Sequence, residues 1–290
     1  MPPIEGHPSL EILKELTDRL IKRDADILKK VRQLSVLVEI QKILLQNNDS
    51  EIFHKIVDML SGISRASRIY LYKNTGVGDN AGMNLSYEWQ APDILPFKIA
   101  EEYCTYKNLP VFNLYMNSNQ PFHFRVRDLP TTEHQVFTDN GVKVTLRVPI
   151  YVKSTPWGFF GLDNCEDDIL WNEEDLNIIF NVVSSIELYL KNKHTEEDLQ
   201  NSTSLFSEVW ENSSDPILLL TEEEQIVKVN KSFYNVFPVT YEKVIGKYLG
   251  DFHALVQSFA NNKEFTEVKG ISTINDKKFI LVILKTIEKG

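Results

Sequence analysis

The stretch Val148–Asp175 reads VPIYVKSTPWGFFGLDNCEDDILWNEED and holds one cysteine, two tryptophans and seven acidic residues. It is either an acidic site with a thiol nucleophile or a structural signature. Val144–Val152 and Trp157–Asn164 read as two strands, with Lys153–Pro156 as the turn between them. Asn172 then caps a helix whose first turn is Glu173, Glu174 and Asp175. Open N–H groups and the helix dipole favour negative charge at that end, so those acids have a stability explanation. Asp163, Glu166, Asp167 and Asp168 follow the strand and are expected on an exposed, hydrated loop. A catalytic pair instead needs one carboxyl raised in an apolar cleft. The spacing does not fit a calcium loop of the EF-hand type, which needs glycine at its sixth position and glutamate at its twelfth. The structural reading is therefore preferred to a metal site, and a metal site to catalysis. A thiol nucleophile needs a lowered pKa, and the acids around Cys165 raise it. The same holds for Cys104 in EEYCTYKN, so neither cysteine is assigned a reaction.

Upstream, Leu13, Leu16, Leu20, Ile27, Leu34, Leu37 and Leu44 recur at three- and four-residue steps from about Ser9 to Asn47. This is a long amphipathic helix. Arg23, Lys30 and Gln41 interrupt the seam, so the helix either pairs with a second copy or another helix, or packs on its own domain. Asp49 or Ser50 caps the next helix, with Ile52, Phe53, Ile56, Val57 and Leu60 on one face. SRIYLYKN (Ser67–Asn74) and NLSYEWQA (Asn84–Ala91) form a hairpin around the glycine-rich Thr75–Gly82. That loop lacks the lysine and following helix of a phosphate loop. Pro92–Asn119 is irregular and aromatic, as a cover of short helices over a sheet would be. Pro121–Asp128 reads as a strand and Thr131–Gly141 as a short helix.

Downstream, Leu176, Ile179, Val183, Ile186 and Leu190 form the apolar face of a helix that runs on to about Ser213. Its middle, Lys191–Ser204, is strongly polar and marks the domain boundary. Pro216–Leu220 and Gln225–Asn230 are short strands, followed by a helical piece with Phe233, Val236 and Phe237. Phe265–Ile274 and Lys278–Ile287 form a terminal hairpin around Asn275-Asp276.

The chain has 290 residues, room for two domains. Its formal charge of -10 repels phosphate backbones, which argues against nucleic acid as a partner. No apolar run is long enough to span a bilayer, and the N-terminus lacks the pattern of a signal peptide. Two cysteines give no disulfide framework and fit a reducing compartment, so a cytoplasmic location is expected. The six histidines show no zinc spacing. No metal site and no catalytic residue is assigned, so the chain is not expected to be an enzyme.

SRIYLYKN, YEWQAP, VRDLP, NGVKVTLRVPIYVKSTPWGFFGLDNC and WNEED resemble a GAF domain of bacterial and archaeal sensor proteins, often sensor histidine kinases or diguanylate cyclases. On that resemblance Gly158 and Gly161 let the strand pack closely, Trp157 and Trp171 fill the core, and the acids cap the last helix. FSEVWENSSDPILLL (Phe206–Leu220), IVKVNKSF (Ile226–Phe233) and VIGK (Val244–Lys247) resemble a PAS domain, with Glu211, Asn212, Asn230, Ile245 and Gly246 at the matching places. PAS domains usually end in three consecutive strands, and only two are visible here, so the domain is expected to lack its last strand. The implied fold class is α+β: two sensor-type domains, each an antiparallel sheet flanked by helices, GAF then PAS, joined by a long helix. The implied domains are a helix at 1–34, GAF at 35–190, a helical linker at 191–205 and PAS at 206–290.

The resemblance implies a sensory module that binds a small molecule and relays it through flanking helices, usually as a homodimer, to an output domain or partner signalling protein. The alternative is a ligand-free dimerisation scaffold for a separate output. The cofactor is open. Cys104 is followed by Thr105, not by the histidine of bilin-binding GAF domains, and the flavin motif of light-sensing PAS domains is absent. His253 stands near the long PAS helix, but a lone histidine is a weak ground for haem. His194 lacks the neighbourhood of a phosphoacceptor. The geometry of a GAF pocket nominates Tyr70, Trp89, Phe112, Phe124, Arg125 and Arg147, with the tryptophan and Phe112 as walls and an arginine for an anionic ligand. In the second domain Leu219, Asn230 and Phe233 are nominated at the pocket or its rim, with Asn230 also read as stabilising a turn.

Overall fold

The computed structural model describes residues 8–46, 51–76, 81–99, 104–252, 264–274 and 277–287. Two units divide the chain, Met1–His194 and Thr195–Gly290. The first begins with α1 (Pro8–Gln46) and α2 (Ile52–Ser61), then β1 (Arg68–Thr75), β2 (Gly82–Gln90), α3 (Pro110–Asn117), β3 (Phe122–Arg125), α4 (Thr131–Thr138), β4 (Val144–Val152) and β5 (Thr155–Asn164). A long α5 (Glu173–Asn212) continues into the second unit. The five strands form one antiparallel sheet in the order β2-β1-β5-β4-β3.

Period-two alternation gives this sheet two different faces. Ile69, Leu71, Leu146, Phe160 and Leu162 face α1, α2 and α5, whose Ile40, Ile56, Leu60, Ile179 and Ile186 are wholly or almost wholly buried against them. Tyr70, Tyr72, Phe122 and Phe159 face the other way, under a cover that includes Phe97, Phe112 and Phe137. The Asn172 side chain accepts from the Asp175 amide at 2.9 Å and so starts α5. Trp171 is buried in the helix-side core, whereas Trp157 stays half-buried at its margin with Lys73 over its ring.

The glycines of β5 sit where a side chain does not fit. A Cβ at Gly158 would lie 2.0 Å from the Tyr72 carbonyl oxygen, and one at Gly161 2.1 Å from the Tyr70 ring. Gly161→Ala must push the Tyr70 ring aside, an overpacking change that costs about 1–3 kcal/mol. Urea unfolding of the variant checks this; an unchanged midpoint contradicts the close approach.

The two halves of α1 differ, and the reading that it packs on its own unit holds for its C-terminal half. Ile40 and Leu44 are buried in its own unit, while Leu13, Leu16, Leu20, Ile27 and Leu34 remain exposed. Lys29 and Gln33 donate to Asp175 Oδ1 at 3.1 and 3.4 Å, tying α1 to the start of α5.

Some elements differ from expectation. The third strand stops at Arg125, and Val126–Asp128 form one 3-10 turn instead. Asp163 does not follow a strand on an exposed loop: it lies inside β5 and is fully buried. The second unit has β6 (Ile217–Thr221), β7 (Ile226–Val229), α6 (Lys231–Val236), α7 (Tyr241–Val244), β8 (Glu264–Ile274) and β9 (Lys277–Ile287), with the sheet order β7-β6-β9-β8. Thus β9 occupies an inner position beside β6, and β8 lies at the edge. Leu218, Leu220 and Val282 face the apolar cluster of this unit, which includes Phe233, Phe237 and Phe252. Asp49, Ser50, Tyr103, His253 and the Asn275-Asp276 turn lie outside the described residues.

Candidate functional site

The covered face of the first sheet carries a charged cluster inside an aromatic layer. Arg68 on β1, Thr145 and Arg147 on β4, and Asp163 on β5 are all buried, because their registers place them on the Tyr70 side. Asp163 is the hub. Its Oδ1 accepts from Arg147 Nη1 at 2.8 Å and Thr145 Oγ1 at 2.9 Å, and its Oδ2 accepts from the Tyr70 hydroxyl at 2.9 Å. Arg68 Nη1 stands 3.7 Å from the same Oδ2. The Arg147 guanidinium lies 4.5 Å from the Tyr70 ring centroid and 5.0 Å from that of Phe137. Such placements over aromatic faces are favourable once water is excluded. Burial pulls the Arg147 pKa down from its ordinary value and Arg68 adds to this, while Asp163 works in the opposite direction. Burial, with Glu88 and Asp163 behind it, pushes the Tyr72 hydroxyl far up, so it stays neutral.

The cover is pinned to this cluster. Arg68 donates through Nε to the Leu95 carbonyl and through Nη2 to the Asn140 carbonyl, both at 2.7 Å. The Asn140 side chain accepts from the Lys98 amide at 2.6 Å and donates to the Lys98 carbonyl at 2.8 Å. Glu88 accepts from the Phe97 amide at 2.9 Å. Together these bonds set the Phe97 ring over the charged cluster, 5.6 Å from the Arg68 guanidinium.

Between sheet and cover lies a cavity of about 20 Å³, lined by Arg147, Tyr72, Met83, Phe97, Phe112 and Phe137 among others. That is room for roughly one water. Of the nominated residues, Phe112 and Arg147 line this cavity, Tyr70 lies behind Arg147 with its ring 4.5 Å from the guanidinium, and three others stand elsewhere. Trp89 pairs with Ile69 and so faces the helices, half-buried at the margin of that core. Arg125 pairs with Val144, also on the helix side, and its Nε donates to the Asp168 carbonyl at 3.0 Å. Phe124 is on the covered face but packs on Tyr115 and Phe122 at the layer's margin. Directly opposed residues share a face, so pairing register decides these cases. Asp163, Arg68 and Asn140 were not nominated. The first two were legible: Arg68 alternates with Tyr70 and Tyr72, and Asp163 with Phe159 and Gly161.

In the second unit Leu219 pairs with Leu281 and Lys228, on the face away from the Phe233 cluster, so it does not line that core. Phe233 is fully buried, with Phe237 and Phe252 rings 5.0 and 5.1 Å away. Asn230 is fully buried and caps α6 by accepting from the Phe233 amide at 3.0 Å.

Burial raises the Cys165 pKa, with Asp163 and Glu166 adding to it and Arg68 opposing. The thiolate is therefore scarce at neutral pH. Cys165 is expected to react with iodoacetamide at pH 7.5 more slowly in the folded chain than in urea, because burial disfavours its thiolate. Peptide mapping of the alkylated chain reads this; equal rates contradict it.

Residues 50–190 match the family model of the GAF domain. The chain is 26% identical over 192 residues to the methanogenesis regulatory histidine kinase FilI of Methanothrix harundinacea (strain 6Ac), covering 65% of this chain and 22% of that protein. Among solved structures, the phycoerythrobilin-bound GAF domain from a cyanobacterial phytochrome is 18% identical, with 58% of this chain and 99% of that chain covered and a TM-score of 0.48. The PAS domain of an HTR-like protein from Haloarcula marismortui is 18% identical, with 33% and 99% covered and a TM-score of 0.25. At those scores neither likeness bears on a ligand or on the second unit. No helix among the described residues is long and apolar enough to cross a membrane. The sequence match, over an antiparallel sheet with helices on one face and an aromatic cover on the other, makes residues 50–190 a GAF domain.

Proposed function

We propose that this chain is the sensory and regulatory part of a signal-transduction protein. A small molecule enters between the sheet and cover of the GAF domain, and the packing of α1 and α5 relays its arrival. The second unit acts as a PAS-type domain, and output chemistry, such as a histidine kinase or a diguanylate cyclase, belongs to another part of the parent protein or to a partner. The observation that carries this reading is the two-sidedness of β5. Asp163 and Phe159 face the covered compartment, while Phe160 and Leu162 pack with the helices on the other face. A ligand that prefers one helix packing shifts that equilibrium by its affinity difference, no more. Phe112 and Arg147 are the ligand contacts of this proposal, with Tyr70 behind Arg147.

The exposed seam of Leu13, Leu16, Leu20, Ile27 and Leu34 supports self-pairing through α1. For the second unit, Glu211 accepts from the Lys231 amide at 2.9 Å and Gly246 has φ of 81°, which gives two of the PAS-matching residues structural work. One observation favours the alternative, a ligand-free dimerisation scaffold: the cavity of about 20 Å³ is water-sized.

Ser202 lies exposed within α5. Proline there removes a helix hydrogen bond and clashes with the preceding turn, at a cost of about 3 kcal/mol or more. In the full-length parent, Ser202→Pro is expected to abolish the response of the output while each unit stays folded by amide exchange. An unchanged response contradicts relay through α5.

A further inference from the structure

The second sheet ends in a long edge strand. β8 has 11 residues and lies outermost in the order β7-β6-β9-β8. β9 pairs with one side of it, and among the described residues no strand pairs with the other. An edge of that length presents a row of backbone N–H and C=O groups to a further strand. Val268 and Ile271 are large apolar side chains left 48% and 76% exposed along it. Glu267 and Lys269 flank Val268 and project from the opposite face of the strand. Lys269 Nζ stands 3.4 Å from Glu267 and 3.6 Å from Glu224. Ion pairs between partly exposed groups of this kind are worth little and are readily rearranged.

We infer that β8 pairs with β8 of a second copy of this chain, antiparallel, about a two-fold axis through Val268. Backbone geometry limits the registers. Directly opposed residues must both turn their N–H and C=O groups across the gap, and these groups alternate in direction along a strand. The axis therefore passes through a residue and not between two. Charge then selects the residue. An axis through Glu267 sets Glu267 against itself, and one through Lys269 sets Lys269 against itself. The axis through Val268 sets Glu267 of each copy opposite Lys269 of the other, and no other axis along β8 opposes unlike charges. Opposite charges across strands stabilise the pair and like charges destabilise it. On the other face Val268 meets Val268 of the second copy, which covers its exposed side chain. Charged side chains commonly keep an edge from pairing, and these two leave a single register open. The contact uses the same patch on both copies. One strand edge is a small contact, so it is weak by itself.

The test places one new cysteine in the whole chain, as Thr266→Cys, Val268→Cys or Ser272→Cys, and follows disulfide-linked dimers under mild oxidation at high protein concentration. Peptide mapping identifies the linked cysteines, which separates these links from any made by Cys104 or Cys165. Thr266, Val268 and Ser272 are all exposed, so access does not distinguish them. In the inferred register the two Cα atoms of residue 268 lie about 5 Å apart, within disulfide range. Residues 266 and 272 lie about 14 and 27 Å from their own counterparts, outside it. Val268→Cys is expected to link at least tenfold faster than either of the others. Adding Lys269→Glu, which sets acid against acid, is expected to slow that link at least tenfold, and adding Glu267→Lys as well is expected to restore it. Equal rates at the three positions, a faster link at 266 or 272, or no rescue by the charge swap overturns the inference. The edge is separate from the α1 seam, so the ranking of the three positions is expected to persist when Leu20 and Ile27 are both changed to glutamate. Loss of the ranking there assigns the links to collisions within an α1 pair and overturns the inference, while the sensor reading stands.

Discussion

Asp163→Asn is expected to lower the stability of the GAF domain by about 3–5 kcal/mol, the cost of breaking a buried ion pair from one side. The substitution keeps the shape of the side chain and removes its charge, so Arg147 and Arg68 remain buried against a neutral amide. Tyr70 and Thr145 also lose a charged acceptor for their hydroxyls. Native-state amide exchange of β5 and β4 gives the size of the loss for this region alone. Adding Arg147→Met to Asp163→Asn removes one of the stranded cations. The double variant is therefore expected to lose less than the sum of the two singles, by about 1 kcal/mol or more, as coupled neighbours do. Strict additivity contradicts the charge argument and leaves only packing.

The second large effect belongs to the other unit. Asn230→Ala is expected to cost about 3 kcal/mol or more, since each buried group left without a partner costs about 1–3 kcal/mol. The side chain makes four hydrogen bonds at once. Its Oδ1 accepts from the amides of Ile217 at 2.9 Å and Phe233 at 3.0 Å. Its Nδ2 donates to the carbonyls of Trp210 and Asp215, both at 3.0 Å. One amide thus joins the end of α5, the start of β6 and the first turn of α6. Asn230→Asp keeps the two acceptances and loses both donations, while burying a charge, so it is expected to destabilise as well. Amide exchange of β6 and β9 checks both variants; wild-type protection in Asn230→Ala contradicts the four-way role.

Much of the architecture is legible from periodicity. The steps of three and four residues in α1 and α5, and the steps of two in β1, β4 and β5, name the elements directly. Glycine, asparagine and proline positions mark most of their ends. The candidate site is legible in part, for a physical reason. Along one strand, alternation says which residues share a face, so Tyr70 and Arg147 could be chosen from their own strands. It does not say which face of one strand meets which face of another. Trp89 and Arg125 fall on the helix side through their pairing with Ile69 and Val144, and that register is set by long-range contacts. Asp163 was misread for a different reason. Its acidic neighbours Glu166, Asp167 and Asp168 suggested one hydrated loop, although the strand read to Asn164 already contained it, and β5 carries Asp163 inside. A lone carboxylate on the glycine side of an apolar strand was the signal, and the two arginines on neighbouring strands were its partners.

The central claim is that the GAF domain holds a small molecule and that the chain works as a pair. Native mass spectrometry of the purified chain at neutral pH measures both together. The account predicts a dimer carrying an extra mass that leaves on unfolding, with the dimer lost when Leu20 and Ile27 on the exposed seam of α1 are both changed to glutamate. A bare monomer at micromolar concentration would contradict it, on the ligand and on the pairing alike.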